Sequence, residues 1–558
     1  MQRNAIALTQ NVYDLLIIGG GIYGACIARD ASLRGLSVAL VEKADFGCAT
    51  SANSLKTIHG GLRYLQHGDL KRMRESIGDR KILMQIAPHL VHPLKVVLPT
   101  YGHGMRGKEA MALALAVNDL VSCDRNFLAD PQKHIPPGRV ISKNQCLQLL
   151  EGIDSQGLTG GAIFYDAQVY NSERLILSFL RSAVQAGADV ANYVEVVGFL
   201  QMGDRITGVT AKDVLTGDSF QIQAKTVVNA SGPWINRILS LLGKPQKQVL
   251  FAKAINLVTR QLFQNYAVGV PGQNSYQDSD TLVKKSKNFL FIAPWRDKSL
   301  IGTNYSVCES EPDAFNVSEK DIQTLLHQIN SSYRGANLTR EEVTFVHGGL
   351  LPSSSVCSQT GNVQLAKHYQ IYDYREQGLQ GLMSVVGVKY TTARNVAQQV
   401  VDRVFQSWGQ KPPKSVSSVT PLHGGQISQF ETFLPAEIAK RPHGLAEEAI
   451  RRLVYNYGSA YGEVLKYLDP QDDSEFAVLK AEVMHGVREE MAQKLSDVVF
   501  RRTELGSAGH PGDETLKICA ETMGTQLGWS AAKIQQELQE VRVIGFGHSF
   551  SNLVMVNR

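Results

Sequence analysis

His59 and Arg63 stand four residues apart in the stretch IHGGLRY, on either side of Gly60 and Gly61. A glycine pair permits close backbone approach, so a loop here can turn both side chains toward one pocket. The imidazole titrates near neutral pH and can take a proton, while the guanidinium offers a bidentate fork to phosphate or carboxylate. That pairing suits oxidation of a secondary alcohol, which needs a group for the hydroxyl proton, positive charge to fix an anion, and a separate hydride acceptor. Lys389 belongs with them, because it lies at the edge of an apolar strand. An unpaired buried ammonium is costly there, and a cofactor or substrate contact relieves the cost.

The acceptor has its own signal in Asp14 to Glu42, DLLIIGGGIYGACIARDASLRGLSVALVE. Leu15 to Ile18 suits a buried parallel strand, and Gly19, Gly21 and Gly24 follow it in G-x-G-x-x-G spacing. The first glycine allows a tight turn, the second lets the backbone approach a pyrophosphate, and the third lets the helix pack on the strand. The helix then presents unpaired N–H groups to the anion. Glu42 closes a second strand, Leu36 to Val41, 18 residues beyond Gly24, close to the ~20 expected of an acid that binds a ribose hydroxyl. An acid at this place argues against a 2′-phosphorylated dinucleotide.

Two later segments return to the same fold. Thr226 to Trp234, TVVNASGPW, is a β-branched strand entering a small-residue turn with Gly232, able to pass close beneath a bound cofactor. Gly381 to Asn395 is a strand, then Gly387, then a helix whose start carries Thr391 and Thr392 and offers N–H groups to an electron-rich ring edge. A cofactor covered by three sequence-distant pieces suits a flavin better than a diffusible nicotinamide.

The 558 residues, 43% hydrophobic, suffice for two or three domains with their own cores. A net charge of +5 suits anionic substrates or a weak attraction to membrane surfaces, and no basic run of five points to nucleic acid. Seven cysteines without a C-x-x-C pair read as reduced cytosolic thiols, with neither a disulfide framework nor a metal site. The N-terminus lacks the apolar core of a secretion signal, and nothing reaches the ~18 apolar residues of a membrane span. Ala110 to Val117, AMALALAV, is too short to span and reads as a buried helix in preference to a membrane-surface one.

Strands, glycine turns and helices alternate from Tyr13 to about Arg403, as in α/β and α+β layers. Gly409 to Ser418 is rich in proline, lysine and serine and reads as a linker. Beyond it, Ala446 to Leu468, Phe476 to Leu495 and Ser530 to Val541 carry helical periodicity, with Ser530 as an N-cap. The expected architecture is a Rossmann-like cofactor domain, an antiparallel-sheet substrate domain, and a helical C-terminal domain over 425–545. The first two interleave within 13–410, with cofactor segments near 13–85, 150–240 and 350–410 and substrate segments near 86–149 and 241–349.

With Cys48-Ala49-Thr50-Ser51, IHGGLRY, MQIAPHLVHP, NASGPW, LFIAPWRDKSLIGTN, VKYTT and EVMHGVREEMAQKLSDVVFRRT in this order, the chain resembles the FAD-dependent glycerol-3-phosphate dehydrogenase and oxidase family, a branch of the D-amino-acid-oxidase-like flavoproteins. The resemblance covers nearly the whole chain. It implies FAD held by Gly19, Gly21, Gly24 and Glu42, with Ser51 approaching the flavin. It implies a substrate site in which Arg63, Tyr64 and Lys389 hold an anionic or polyol small molecule and His59 lies near the reacting hydroxyl. Electrons would pass to membrane quinone or to oxygen, and a peripheral contact with the inner face of the membrane accompanies a cytoplasmic location. Arg488, Glu489, Glu490, Arg501 and Arg502 of the tail are expected on a solvated or interdomain face.

Three positions depart from the family pattern. Leu351 stands where an arginine is usual, Asn256 where a histidine is usual, and Val388 where a glycine is usual. An isobutyl group in place of a guanidinium removes a bidentate partner and makes the pocket locally apolar. Another phosphate ester, a larger hydroxylated compound or an amine are the alternative substrates, and a flavin-binding redox sensor is the alternative without turnover.

Overall fold

The computed structural model describes residues 1–551 except 105–106, 244–246, 273–288, 309, 358–361 and 547–549. Two large sheets, a two-stranded ribbon of Asn316–Val317 and Phe550–Ser551, and a helical tail make up the fold. The first sheet runs in the order Gln370–Asp373, Leu382–Val386, Ser219–Asn229, Val12–Ile18, Val38–Val41, Asp189–Ala191. Along this order all neighbours are parallel except the outer pair Gln370–Asp373 and Leu382–Val386, and the hairpin Val194–Met202 and Arg205–Asp213 joins Ser219–Asn229 antiparallel. Alternation along the central strands explains why both faces are covered. Leu15, Ile17, Val38 and Leu40 pack on the helices Ile22–Leu33, Ser172–Gln185 and Ala393–Ser407. Leu16, Ile18, Ala39 and Val41 face Val196, Val209 and Ile222 of an antiparallel hairpin layer. The glycine turn thus leaves the carboxyl end of the central strand of an open parallel sheet, where α/β proteins bind ligands.

The second sheet has ten strands, in the order Asn362–Leu365, Phe345–Cys357, Leu250–Arg260, Lys298–Val307, Phe289–Trp295, Ala267–Pro271, Val91–Tyr101, Leu158–Val169, Thr57–Ile58, with Arg139–Ser142 on the side. All its pairs are antiparallel but that of Ala267–Pro271 with Val91–Tyr101. Four of these strands, Thr57–Ile58, Leu158–Val169, Phe345–Cys357 and Asn362–Leu365, fall wholly or largely in segments expected on the cofactor side. Strand periodicity reports that a segment is extended but not which sheet it joins, so the interleaving is finer than 13–85, 150–240 and 350–410 implies.

The tail comprises Phe430–Lys440, Glu447–Tyr457, Ala477–Glu490, Asp513–Leu527 and Ala531–Phe546, with a π-helical turn at Val498–Arg502. Ser530 does cap the last helix, its Oγ accepting from the Lys533 N–H at 3.2 Å. Gly458, at φ +56°, ends the helix expected to run from Ala446 to Leu468. Leu479, Val483, Leu516 and Met523 share one core with Ile255, Leu257 and Phe345, so the tail and the second sheet form a single apolar body. The proline-rich connector is tied down: Arg29 donates to the carbonyls of Ser417 and Thr420, and Ser415 to Asp30.

Ala110 to Val117 lies within a helix, Lys108–Val121, that rests on the second sheet through the buried Leu115 and the partly buried Met111. Leu113 is 68% exposed and Leu120 75%. The reading of this segment as buried is therefore corrected: its apolar residues encircle the helix, and only Leu115 among them is fully buried. No helix among the described residues is long and apolar enough to cross a membrane. Cys26, Cys48, Cys123, Cys146, Cys308 and Cys519 are free thiols, and the Cys357 side chain lies outside the described residues.

Candidate active site

A cleft opens at the carboxyl end of the central strand, walled by Gly19, Gly21, Glu42, Cys48 to Ser51, Ala230 to Trp234, Leu350 to Pro352 and Gly387 to Tyr390. Each glycine of the fingerprint has a measurable reason. Gly19 holds φ +109°, which favours glycine, and a Cβ on it would come 2.7 Å from the Ala230 carbonyl oxygen. A Cβ on Gly24 would come 1.9 Å from the Gly19 carbonyl oxygen, so the helix could not seat on the strand. A Cβ on Gly21 would meet only the Ser51 Oγ, at 3.1 Å, and otherwise project into open space. That space is the one a pyrophosphate needs, at the N-terminus of the helix Ile22–Leu33.

Glu42 is fixed at the end of its strand by the N–H groups of Gly20 and Ala44, at 2.7 and 2.9 Å. Burial pushes its carboxyl pKa up and the two backbone donors oppose the shift. The Ser51 Oγ accepts from the Ile22 N–H at 3.1 Å, which places it at the helix start. Gly232, at φ +56°, and Gly387 both line the cleft, and a Cβ on Gly387 would come 2.0 Å from the Tyr23 ring. The Tyr23 hydroxyl donates to the Lys389 carbonyl at 2.7 Å, which locks the backbone here. Thr391 is buried one residue beyond the cleft wall, its Oγ1 accepting from the His59 N–H at 3.1 Å. The glycine cradle and the fixed acid fit a dinucleotide.

The strip 387–391 is also the border with the IHGGLRY loop. His59, Arg63 and Tyr64 do not wall the cleft themselves; Tyr64 meets it through Lys389, whose Nζ lies 3.9 Å from the Tyr64 ring centroid, and His59 reaches the same strip at Thr391. The His59 ring is half exposed, with Nδ1 3.0 Å from the Asp166 Oδ2. Asp166 is buried on the strand Leu158–Val169, where it also accepts from the Gly60 N–H at 2.6 Å and faces Arg80 at 3.3 Å. Burial works against its charge, but His59, Arg80 and the Gly60 N–H hold its pKa below the ordinary value. A Cβ on Gly60 would come 2.1 Å from the Arg80 guanidinium, so a larger residue here would push Arg80 from Asp166.

Asp166 went unnoticed in the sequence, although it is the one charged residue of LTGGAIFYDAQV and so carried a signal. Arg72 was missed as well. Its guanidinium carbon lies 4.2 Å from the Tyr64 ring centroid, so Tyr64 touches two cations. Lys389 has its pKa lowered to about 7, first by burial and then by the charge of Arg72 with a further push from Arg63. Leu351 lines the cleft as its neighbour Leu350 exchanges hydrogen bonds with Thr50. Asn256 is buried within the second sheet, where its Oδ1 accepts from the Thr303 hydroxyl at 2.7 Å.

The tail reaches the other side of the cofactor loop. Asp45, three residues past Glu42, is buried against Arg501 and Arg502, the latter bidentate at 2.7 and 2.8 Å. Arg174 pairs with Glu490 at 2.5 and 2.8 Å. Of the tail charges, Glu490, Arg501 and Arg502 are thus buried between domains, whereas Arg488 is exposed.

Residues 14–387 match the protein family described as FAD dependent oxidoreductase, and residues 415–534 match the C-terminal domain of alpha-glycerophosphate oxidase. A glycerol-3-phosphate dehydrogenase of Synechocystis sp. is 31% identical over 552 residues, covering 96% of this chain and 97% of its own. An aerobic glycerol-3-phosphate dehydrogenase of Staphylococcus epidermidis is 28% identical, covering 89% of this chain and 87% of its own. In three dimensions, the glycerol-3-phosphate dehydrogenase from Bacillus halodurans complexed with FAD superposes with a TM-score of 0.76 at 25% identity, covering 99% of this chain and 98% of that one.

Proposed function

The chain belongs to the FAD-dependent oxidoreductase family with an alpha-glycerophosphate-oxidase C-terminal domain, and on that premise we propose that it oxidises the secondary alcohol of glycerol 3-phosphate to the ketone. It is an FAD enzyme, and the bound flavin supplies the hydride acceptor. The observation that carries the substrate reading is the set of cations gathered at Tyr64 beside the cleft, with Lys389 3.9 Å from its ring. These suit a phosphate monoester, which carries close to two negative charges at neutral pH.

In this reading Gly19, Gly21 and Gly24 seat the pyrophosphate and Glu42 takes a ribose hydroxyl. Gly232 and Gly387 bring backbone close to the cofactor, and Ser51 and Thr391 fix its surroundings. Arg63, Tyr64 and Lys389 hold the substrate phosphate. His59 takes the hydroxyl proton on its second ring nitrogen, while Asp166 at 3.0 Å keeps Nδ1 protonated and the ring oriented. The carboxylate then stabilises the imidazolium that forms.

The exposed apolar side chains of the helix Lys108–Val121 support a second part of the proposal. We place this helix at the boundary of lipid headgroups and acyl chains, which makes a membrane-borne quinone the electron acceptor in preference to oxygen.

Anaerobic titration of the holoenzyme tests the substrate. Glycerol 3-phosphate is expected to bleach the flavin absorbance, while glycerol acts far more weakly and amines do not. Bleaching by an amine with none by glycerol 3-phosphate overturns the reading and favours the pocket made apolar by Leu351.

A further inference from the structure

Arg72 sits in the first turn of the helix Leu70–Ile86, where the Asp69 side chain accepts its backbone N–H at 3.0 Å. That cap fixes where the helix begins, and hence where the guanidinium projects. Its carbon lies 4.2 Å from the Tyr64 ring centroid, and the Lys389 Nζ lies 3.9 Å from the same centroid. Arg63 follows one residue before Tyr64, and its charge bears on both Arg72 and Lys389. Asp69 and Glu75 temper the field, yet among the described residues Arg63, Arg72 and Lys389 are in no ion pair. The Nε of Arg72 is buried and has no hydrogen-bond partner there.

Cations held close on one aromatic ring repel one another, and a cation–π contact worth about 0.5–2 kcal/mol only partly offsets this. The repulsion is relieved when a dianion arrives between them. The cleft wall opposite offers no charge at Leu351.

We propose that Arg72 is a specificity-determining residue that supplies the guanidinium contact to the substrate phosphate, with the Tyr64 ring as the platform that holds Arg72 and Lys389 toward the same anion. This rests on the reading of the substrate as a phosphate monoester. Arg63 and Lys389 alone would bind any small anion, and the third cation matches the double charge of a phosphate.

The test compares Arg72→Met, which keeps an apolar stem on Tyr64, with Arg72→Lys, which keeps the charge. Both are assayed as holoenzymes on glycerol 3-phosphate and on glycerol, and inorganic phosphate binding is followed by flavin absorbance. Arg72→Met is expected to lower kcat/KM for glycerol 3-phosphate about 10- to 100-fold, mainly through KM. The loss on glycerol is expected to be at least about tenfold smaller, and Arg72→Lys to recover part of the difference. The Kd of inorganic phosphate should weaken in Arg72→Met by a comparable factor. Equal losses on both substrates, or an unchanged phosphate Kd, overturn the proposal and leave Arg72 as packing for Tyr64. Should wild-type enzyme fail to oxidise glycerol 3-phosphate, the proposed function falls, and the phosphate titration alone then decides for or against Arg72.

Discussion

Lys389 touches the cofactor cleft on one side and Tyr64 on the other, and in the proposed substrate site its charge state sets which anion is held. Burial first, then the neighbouring Arg72, lowers its pKa to about 7. Below that value the free enzyme presents an ammonium to the phosphate, and above it a neutral amine. A phosphate monoester completes its second ionisation near pH ~6. For glycerol 3-phosphate, kcat/KM should therefore fall as pH rises through about 7, with the substrate's own protonation limiting it on the acid side. Lys389→Met should lower the maximum about tenfold and remove the fall near 7, as read from the pH profile of kcat/KM at constant flavin content. A fall near 7 that survives in Lys389→Met would assign it to another group. His59 and Arg63 stand out as candidates in the sequence because residue type and a short local spacing carry their chemistry. Asp166 and Arg72 were not, since one reaches His59 across 107 positions and the other reaches Lys389 only through Tyr64. Such pairings are made by the fold, and a single sequence does not display them.

Elements whose signal is local were read well. The run from Val12 to Val41 folds as strand, turn, helix and strand because Gly19 and Gly24 let backbone pass where a Cβ would clash, which seats that helix on the strand. The helix Lys108–Val121 shows the opposite case. Its apolar content was plain, but whether a neighbour covers those side chains depends on the second sheet, which only Leu115 reaches in full burial. The uncovered face gives a direct test of membrane attachment. Leu120→Glu should weaken cosedimentation with anionic lipid vesicles by about tenfold or more, since one leucine withdrawn from water is worth about 1.5–3 kcal/mol. Thermal stability should stay nearly constant, because the side chain is 75% exposed in the free protein. Unchanged vesicle binding would remove this helix from the attachment surface.

At the scale of the whole molecule, the tail was recognisable as helical, but its purpose was not. Asp45 follows Glu42, Lys43 and Ala44, all of which wall the cofactor cleft, and its charge is answered by Arg501 and Arg502. Tyr193 and Asn192 extend the same network to Asp497 and the Met491 carbonyl. Burial opposes the Asp45 charge, but the two arginines hold its pKa well below the ordinary carboxylate value of 3.8. For an acid with a depressed folded pKa, the stabilisation is complete above about 4 and is lost as pH falls below it. Asp45→Asn removes the buried countercharge the two guanidinium groups share and leaves Arg501 with Asp497 and Arg502 with Glu490 alone, at a cost of about 3–5 kcal/mol. It should lower the Tm and speed FAD release, measured by the rise of free-flavin fluorescence on dilution. A lower Tm with FAD release unchanged would confine the network to stability.

The pairing of Asp45 with Arg502 spans 457 positions. A ribosome makes the glycine turn and the acid of the cofactor loop among the first few dozen residues, but the counterions of Asp45 come only after some 450 more. At roughly 5–20 residues per second, that interval lasts from about 20 seconds to about a minute and a half. Throughout it, the loop beside Glu42 carries a carboxylate that cannot be buried without its partners. Until the tail docks, water remains at that carboxylate, and the nascent cofactor site is an open one. Closure of the loop at Asp45 is accordingly among the final events of folding, although the glycine turn and the acid beside it are among the earliest residues to exist.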